Sequence, residues 1–179
     1  MPTSSTPAPA IFGAAVAAVL LGLPGAAASA AGTECLAPPV VAAVSRPFDA
    51  PPCPWCAGHR GITYAVSPGT PVRAAATGTV TFSGVVVATR YVVVRHGDGL
   101  LATYGGLSST PLTSGDTVVE GEIVGRSGAG LYFGLRTAAD TYIDPQPLLG
   151  ELVVPPYLVP TDGTPPRLPP EPVLRCRPI

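Results

Sequence analysis

Three side chains that could bind a transition metal lie close together in the sequence, namely Cys53, Cys56 and His59. Thiolates and imidazoles are usual ligands of zinc, and a catalytic zinc needs about three protein ligands and an open position for water. The Cys-x-x-Cys-x-x-His spacing therefore predicts, as one alternative, a zinc site completed by a carboxylate or by water. The only other histidine, His96, precedes a glycine and is interpreted as a residue that stabilises a turn.

The cysteines have a second interpretation as disulfides. The chain has four of them, Cys35, Cys53, Cys56 and Cys176, and an even number in an oxidising compartment indicates disulfides that stabilise a small domain. Three connectivities are possible, of which we favour Cys53 with Cys56 and Cys35 with Cys176. The Cys-Pro-Trp-Cys motif lacks the βαβ surroundings of redox-active dithiols, so thioredoxin-like activity is not expected.

The first 30 residues have the pattern of an export signal. An apolar run from Ile11 to Leu23 is followed by a Pro-Gly break and by Ala28-Ser29-Ala30, which fits an Ala-x-Ala cleavage site. We therefore predict a signal peptide over residues 1–30 and a secreted or cell-envelope location. Contact with a membrane is expected only if the signal stays uncleaved, and Glu34 before Cys35 argues against a lipid anchor at that cysteine.

The surroundings of His59 resemble a known family. The stretch His59-Arg60-Gly61-Ile62-Thr63 is similar to the His-x-Gly-x-Asp motif of the lysostaphin-type peptidoglycan endopeptidases, metallopeptidase family twenty-three. Further matches follow in the family's order, and together they cover about residues 45–150. They are Pro68-Gly69-Thr70-Pro71-Val72-Arg73-Ala74-Ala75, Gly78-Thr79-Val80, Val93-Val94-Arg95-His96-Gly97, Tyr104, Gly115-Asp116-Thr117-Val118, Gly121-Glu122-Ile123-Val124-Gly125 and Phe133-Gly134-Leu135-Arg136. Their order identifies the chain as a member of this family.

The resemblance also implies which positions would form a metal site. In active members, zinc is held by the His and Asp of the first motif and by the second His of a His-Leu-His motif, positions that read His59, Thr63 and Tyr132 here. Two further family histidines, which assist the attacking water and the developing oxyanion, align with Gly106 and Gly130. A threonine hydroxyl is a poor zinc ligand and a phenol titrates near about pH 10, so one good donor remains. His59 is interpreted as a vestigial metal ligand.

These replacements predict a catalytically degenerate protein. Loss of a general base alone costs about a hundredfold to ten-thousandfold in rate, and glycine cannot replace an imidazole. We therefore expect no catalytic residues and no cofactor, although active relatives use zinc, and we expect the chain to bind cell-wall peptide or to regulate a wall hydrolase. The alternative is an active zinc metalloendopeptidase of peptidoglycan with a rebuilt metal site. A third possibility is a structural wall protein that makes contacts through its C-terminal tail.

The stretch that must position these residues is predicted to be all β-sheet. From Ile62 to Leu149, short β-branched runs alternate with turn residues, and no window after the N-terminal signal has the apolar stripe of a long helix. The segment from Tyr91 to Tyr104 has Gly97-Asp98-Gly99 at its centre, which is typical of a β-hairpin. The resemblance implies a lysostaphin-type β-sheet core with low helix content, whose groove holds a stretched peptide in active members.

Two segments without periodicity flank this predicted β domain, which covers residues 45–150. Residues 31–44 are predicted to be an extended lead-in. In the tail, residues 151–179, nine of the 29 residues are Pro, which predicts an extended or polyproline-like conformation. Because proline has no N–H to donate, the tail is not expected to form the interior of a regular sheet.

Charge excludes one class of partner. Eleven acidic and ten basic residues give a net charge of −1, so nucleic acid is not an expected partner. All ten basic residues are Arg. This bias indicates a GC-rich coding sequence of the kind found in actinobacteria.

Overall fold

The computed structural model describes residues 35–53, 55–161, 165 and 167–176. The predicted signal peptide, residues 1–30, lies outside this part and stays a prediction. No helix in the described part is long and apolar enough to cross a membrane. The elements are β1 (Val44–Arg46), β2 (Ile62–Tyr64), β3 (Pro71–Arg73), β4 (Gly78–Val86), β5 (Thr89–His96), β6 (Leu101–Ser109), β7 (Thr117–Val118), β8 (Ile123–Arg136), β9 (Tyr142–Ile143), a 3-10 turn (Gln146–Leu148), β10 (Glu151–Val153) and β11 (Val173–Arg175).

Nine of these strands form one antiparallel sheet organised around β8. The order along the sheet is β1-β2-β8-β6-β5-β4-β7, and β3 and β9 also pair with β8. With 14 residues, β8 is long enough to pair with four other strands. The predicted all-β fold is confirmed. The predicted hairpin between Tyr91 and Tyr104 is confirmed too, because β5 and β6 are antiparallel neighbours.

One face of the sheet carries the hydrophobic core. Side chains alternate between the two faces of a strand, and Tyr104 on β6 is fully buried, as are Leu131 and Phe133 on β8. The Tyr104 hydroxyl accepts a hydrogen bond from the Ala75 N–H at 2.8 Å, and burial raises the pKa of Tyr104 above its ordinary value. Tyr132 alternates with Leu131 and Phe133 along β8 and therefore faces away from this core.

The segments on either side of the β domain are bound to it more closely than their composition indicates. Leu36 in the lead-in is buried and forms a parallel bridge to Leu149. In the tail, β10 pairs with β11, so the Pro-rich stretch leaves the domain and returns to it. The composition of the tail predicts only an extended conformation, so the pairing is an addition to that expectation. The two strands form because neither Glu151–Val153 nor Val173–Arg175 contains a proline, so no ladder donor is missing.

Both disulfides have the connectivity favoured from the sequence. Cys35 is bonded to Cys176 across a sequence separation of 141, and Cys53 to Cys56 across a separation of 3. There is no free cysteine in the described part of the chain. The first bond joins the lead-in to the tail, and the second closes a short loop that precedes His59.

His96 is a buried histidine with one unsatisfied ring nitrogen. The residue is only 5% exposed, and its Nδ1 donates to the Thr77 carbonyl oxygen at 3.1 Å. Its Nε2 has no hydrogen-bond partner among the described residues. Burial lowers the pKa of His96 below the ordinary 6.5, against smaller opposing effects of the Thr77 hydrogen bond and of Asp98. The fold therefore favours the neutral ring.

Acid is expected to weaken the fold through His96. As the pH falls below about 6.5, the unfolded chain takes up a proton here before the folded chain does, so the free energy of unfolding falls by at most about 1.4 kcal/mol per pH unit. The loss continues down to the folded-state pKa, and above about pH 7.5 the effect vanishes. Urea unfolding of the wild type and of His96→Gln across this range measures it. Identical pH slopes for the two proteins would contradict the assignment.

Candidate functional site

The five positions implied by the resemblance lie together in the structure. Thr63 on β2 and Tyr132 on β8 are direct partners across the two strands, and His59 lies just before β2. A Cβ placed on Gly106 would be 3.2 Å from the Gly130 carbonyl oxygen, and one placed on Gly130 would be 3.8 Å from Thr63 Cγ2. We call these five residues the site cluster.

His59 is held through both of its ring nitrogens. Its backbone pairs with Asp49 in both directions, at 2.8 and 2.9 Å, and the residue is 9% exposed. Nδ1 lies 2.9 Å from the Pro47 carbonyl oxygen, which can only accept, so Nδ1 carries the proton. In the neutral ring Nε2 is then an acceptor, and the Thr63 hydroxyl donates to it at 3.2 Å. The lone pair that this histidine would offer to a metal is therefore engaged by Thr63.

Tyr132 is a neutral phenol bound to the backbone. Its hydroxyl donates to the Arg60 carbonyl oxygen at 2.9 Å. Its ring meets the His59 ring edge-on, with centroids 5.6 Å apart and planes at 73°. Burial raises the pKa of Tyr132 to about 12, and neighbouring tyrosines add to the rise. At neutral pH the side chain is therefore not a phenolate ligand.

The Tyr132 side chain occupies space that glycines leave open. A Cβ on Gly61 would be 2.8 Å from Tyr132 Cε2, and a Cβ on Gly134 would be 2.5 Å from its hydroxyl oxygen. On β6, Gly105 is the strand partner of Tyr132, and a Cβ there would be 3.2 Å from its ring. Because protein interiors are close-packed, Gly61 and Gly134 are fitted to Tyr132, whereas Gly105 is fitted first to Tyr91, which its Cβ would approach to 2.5 Å. Sequence reasoning missed Gly61, Gly105 and Gly134 as site-building residues, since the contacts depend on the strand register.

Gly106 and Gly130 lack side chains, and their backbone conformation is also unusual. Their φ angles are +76° and +96°, in the left-handed region that side-chain-bearing residues rarely adopt. The ladder between β6 and β8 is also irregular here, because Gly105 pairs with Tyr132 whereas Leu107 pairs with Ser127. A histidine at either glycine would therefore have to adopt a strained backbone.

The donors of the site cluster do not fit a zinc ion. They are one imidazole nitrogen that already accepts a hydrogen bond, one threonine hydroxyl and one protonated phenol, with no carboxylate among them. No group of three or more His, Cys, Asp or Glu side chains that could hold a metal occurs within the described residues. In the rival site of Cys53, Cys56 and His59, both sulfurs are used by the disulfide, so neither is a thiolate ligand.

A cleft with aromatic walls lies beside the site cluster and has a volume of about 840 Å³. Trp55, within the short disulfide loop, is 94% exposed at its edge. The Arg60 guanidinium lies 5.7 Å from the centre of the Tyr142 ring, and the Arg136 guanidinium lies 5.9 Å from it. Sequence reasoning did not predict this cleft, because Arg60 and Tyr142 are distant in sequence. We call it the aromatic cleft. Its lining residues are Phe48, Ala50, Pro51, Pro52, Cys53, Trp55, Arg60, Asp140, Thr141 and Tyr142.

Solved structures of other proteins share this fold, among them two catalytic domains. The catalytic domain of EnpA, a prophage-encoded M23 protein from Enterococcus faecalis, is 26% identical with a TM-score of 0.53, over 62% of this chain and 95% of that one. The catalytic domain of the antimicrobial peptidase lysostaphin from Staphylococcus simulans is 23% identical with a TM-score of 0.53, over 59% of this chain and 90% of that one. The sheet is therefore that of lysostaphin-type domains.

Comparison of the sequence with known proteins points to the same family as the fold does. An uncharacterized protein of Mycobacterium tuberculosis is 44% identical over 62 residues, which are 35% of this chain and 25% of that protein. The chain thus matches about a quarter of the length of that relative. The model of Peptidase family M23 matches residues 57–145, a stretch that contains all five residues of the site cluster. The chain therefore belongs to peptidase family M23, the lysostaphin-type family.

Proposed function

We propose that this chain is an exported, catalytically inactive M23 protein that binds cell-wall peptide without cutting it. The observation that carries the proposal is the hydrogen bond from Thr63 to His59 Nε2, because the residue at the carboxylate position occupies the lone pair that a zinc ion would need. The protein is proposed to act without zinc or another cofactor. The family includes hydrolases of peptidoglycan, which supports cell-wall peptide as the ligand.

The glycines at the positions of the two assisting family histidines support binding rather than hydrolysis. An attacking water needs a metal or a general base to activate it. Gly106 and Gly130 offer no side chain for this task, and the Tyr132 phenol keeps its proton at neutral pH because burial raises its pKa to about 12. A peptide held beside the site cluster would therefore remain intact.

The aromatic cleft offers suitable chemistry for a peptide. Exposed Trp55 and Tyr142 provide flat apolar surfaces for an extended chain, and aromatic side chains carry much of the binding energy at protein interfaces. Arg60 and Arg136 beside Tyr142 place positive charge in the same region, which favours a ligand with a free carboxylate. Arg136 is paired with Asp140 at 2.7 Å, so its charge is partly balanced.

Sedimentation with purified peptidoglycan sacculi tests the proposal. The wild type is expected to bind sacculi equally well with and without a metal chelator, and to release no soluble fragments. Trp55→Ala and Tyr142→Ala are each expected to weaken binding by about tenfold or more. Leu158→Ala is the matched control, because Leu158 is 95% exposed but lies outside the aromatic cleft.

Two outcomes would overturn the proposal. A zone of cleared peptidoglycan that disappears with chelator would show an active enzyme with a rebuilt metal site. Failure to bind sacculi, together with co-purification of a wall hydrolase whose activity the chain changes, would favour regulation of that hydrolase instead.

A further inference from the structure

The hairpin of β4 and β5 ends in a cluster of exposed apolar side chains. Val85 is 54% exposed, Val86 is 51% exposed and Val87 is fully exposed, at 102%. Ala88, which completes the turn, is exposed as well. We call residues Val85–Ala88 the hairpin tip. Single apolar residues are common on protein surfaces, whereas a contiguous apolar group marks an interaction site.

The hairpin tip projects beyond the sheet. On one side, the last pair between β5 and β6 is Arg90 with Leu107. On the other side, β7 pairs with β4 only at Gly78 and Thr79. Among the described residues, no strand therefore flanks Val86, Val87 and Ala88, and the tip stands as a two-stranded ribbon.

The backbone at the tip is unfavourable for the residue that it carries. Val87 has a φ of 58°, in the left-handed region. Turns of this kind in hairpins favour Gly, Asn or Asp, and a β-branched residue there is a genuine outlier. Val87 gains no burial in return. No contact within the molecule offsets the unfavourable backbone of Val87. We take such an uncompensated conformation as an indication that the residue contacts a partner outside the molecule.

The size and charge of the hairpin favour a lipid surface over a protein partner. A stable protein interface uses about 20–30 residues on each side, far more than a tip of four residues offers. The hairpin from Gly78 to His96 contains two arginines and no acidic residue. One of them, Arg90, is the strand partner of Val85 at the base of the tip. An arginine there can reach anionic headgroups while the apolar residues enter the acyl region.

We propose that the hairpin tip inserts into the surface of membranes that contain anionic lipids, with Arg90 at the headgroups. This contact is independent of the N-terminal signal and goes beyond the proposed binding of cell-wall peptide. It would hold the β domain against the bilayer by its β4–β5 end. The aromatic cleft is built from other segments, and it takes no part in the contact.

A fluorescent reporter at the tip tests this proposal. In the full chain with Trp55→Phe, which removes the only native tryptophan, Val86→Trp places a single reporter in the tip. Vesicles of phosphatidylcholine and phosphatidylglycerol with brominated acyl chains are expected to shift its emission to the blue and to quench it. The matched control is Val41→Trp in the same background, because Val41 is 84% exposed but lies in the lead-in. Its emission should not change.

A second substitution separates insertion from misfolding. The substitution is Val87→Asp, added to the Val86→Trp reporter chain. Aspartate tolerates a positive φ better than valine does, so the variant is expected to fold. It should weaken vesicle binding by more than about tenfold, because an acidic residue resists transfer into the bilayer. Absence of quenching in the Val86→Trp chain would overturn the proposal, as would equal quenching by pure phosphatidylcholine vesicles. A dimer that Val87→Asp dissociates, without any lipid effect, would assign the tip to a second copy instead. None of these outcomes bears on sacculus binding.

Discussion

The double variant Thr63→Asp/Tyr132→His is expected to bind about one zinc ion per chain, whereas the natural chain should bind far less. Thr63 and Tyr132 are partners across β2 and β8, and the Thr63 hydroxyl already lies 3.2 Å from His59 Nε2. The two substitutions would supply a carboxylate and a second imidazole beside the first. Two histidines and one carboxylate are a known ligand set of catalytic zinc sites. Metal content after dialysis against dilute zinc, with thermal stability as a second readout, measures the gain.

Restored zinc binding should not restore hydrolysis. Thr63→Asp alone, Tyr132→His alone and the double variant are all expected to leave peptidoglycan intact, because Gly106 and Gly130 still provide no imidazole for the water or the oxyanion. Tyr132→His alone is the matched control for metal binding, since it adds an imidazole without the carboxylate. Hydrolysis by Thr63→Asp alone would show that the site positions are misassigned. A double variant that takes up no zinc would show that the cluster cannot close around a metal.

Removing the Cys35–Cys176 disulfide is expected to lower the free energy of unfolding by about 4–5 kcal/mol. The bond spans a sequence separation of 141 and so closes the whole β domain into one loop in the unfolded chain. A cross-link over so long a loop removes much conformational entropy from the unfolded state. Urea unfolding of Cys35→Ser/Cys176→Ser against the wild type gives the difference.

The second disulfide provides the internal control. Cys53 and Cys56 are separated by only 3 positions, so Cys53→Ser/Cys56→Ser is expected to cost about 2 kcal/mol on the same argument. The difference between the two double variants should therefore be about 3 kcal/mol. Equal losses would show that loop closure does not determine the stabilisation. Neither pair contributes a side chain to the site cluster.

The fold and the membership of the site cluster could be predicted from the sequence for definable reasons. The sheet could be predicted because β-branched runs alternate with turn residues, and this pattern is visible within short stretches of sequence. The site cluster depended on the order of the family motifs, which predicts that Thr63 and Tyr132 stand at the positions of metal ligands. Their direct pairing is a matter of the register between β2 and β8, which the structure supplies.

The features that were missed depend on contacts between distant segments. Nothing in the sequence indicates that His59 donates to Pro47 and accepts from Thr63, because the Pro47 carbonyl oxygen belongs to the backbone of another loop. Likewise, the sequence indicates only that Gly106 and Gly130 lack the imidazole side chains of the family histidines with which they align. The structure adds that their backbones have positive φ angles, so restoring two histidines would require more than two substitutions.

The bond between Cys35 and Cys176 also decides how the domain would respond to mechanical load. The two Cα atoms are 5.3 Å apart, so the chain enters and leaves the described domain at almost the same point. Tension applied between a segment before Cys35 and a segment after Cys176 would pass through the covalent bridge and bypass the hydrogen bonds of the sheet. A domain fastened in this way can be pulled by both ends without being unravelled.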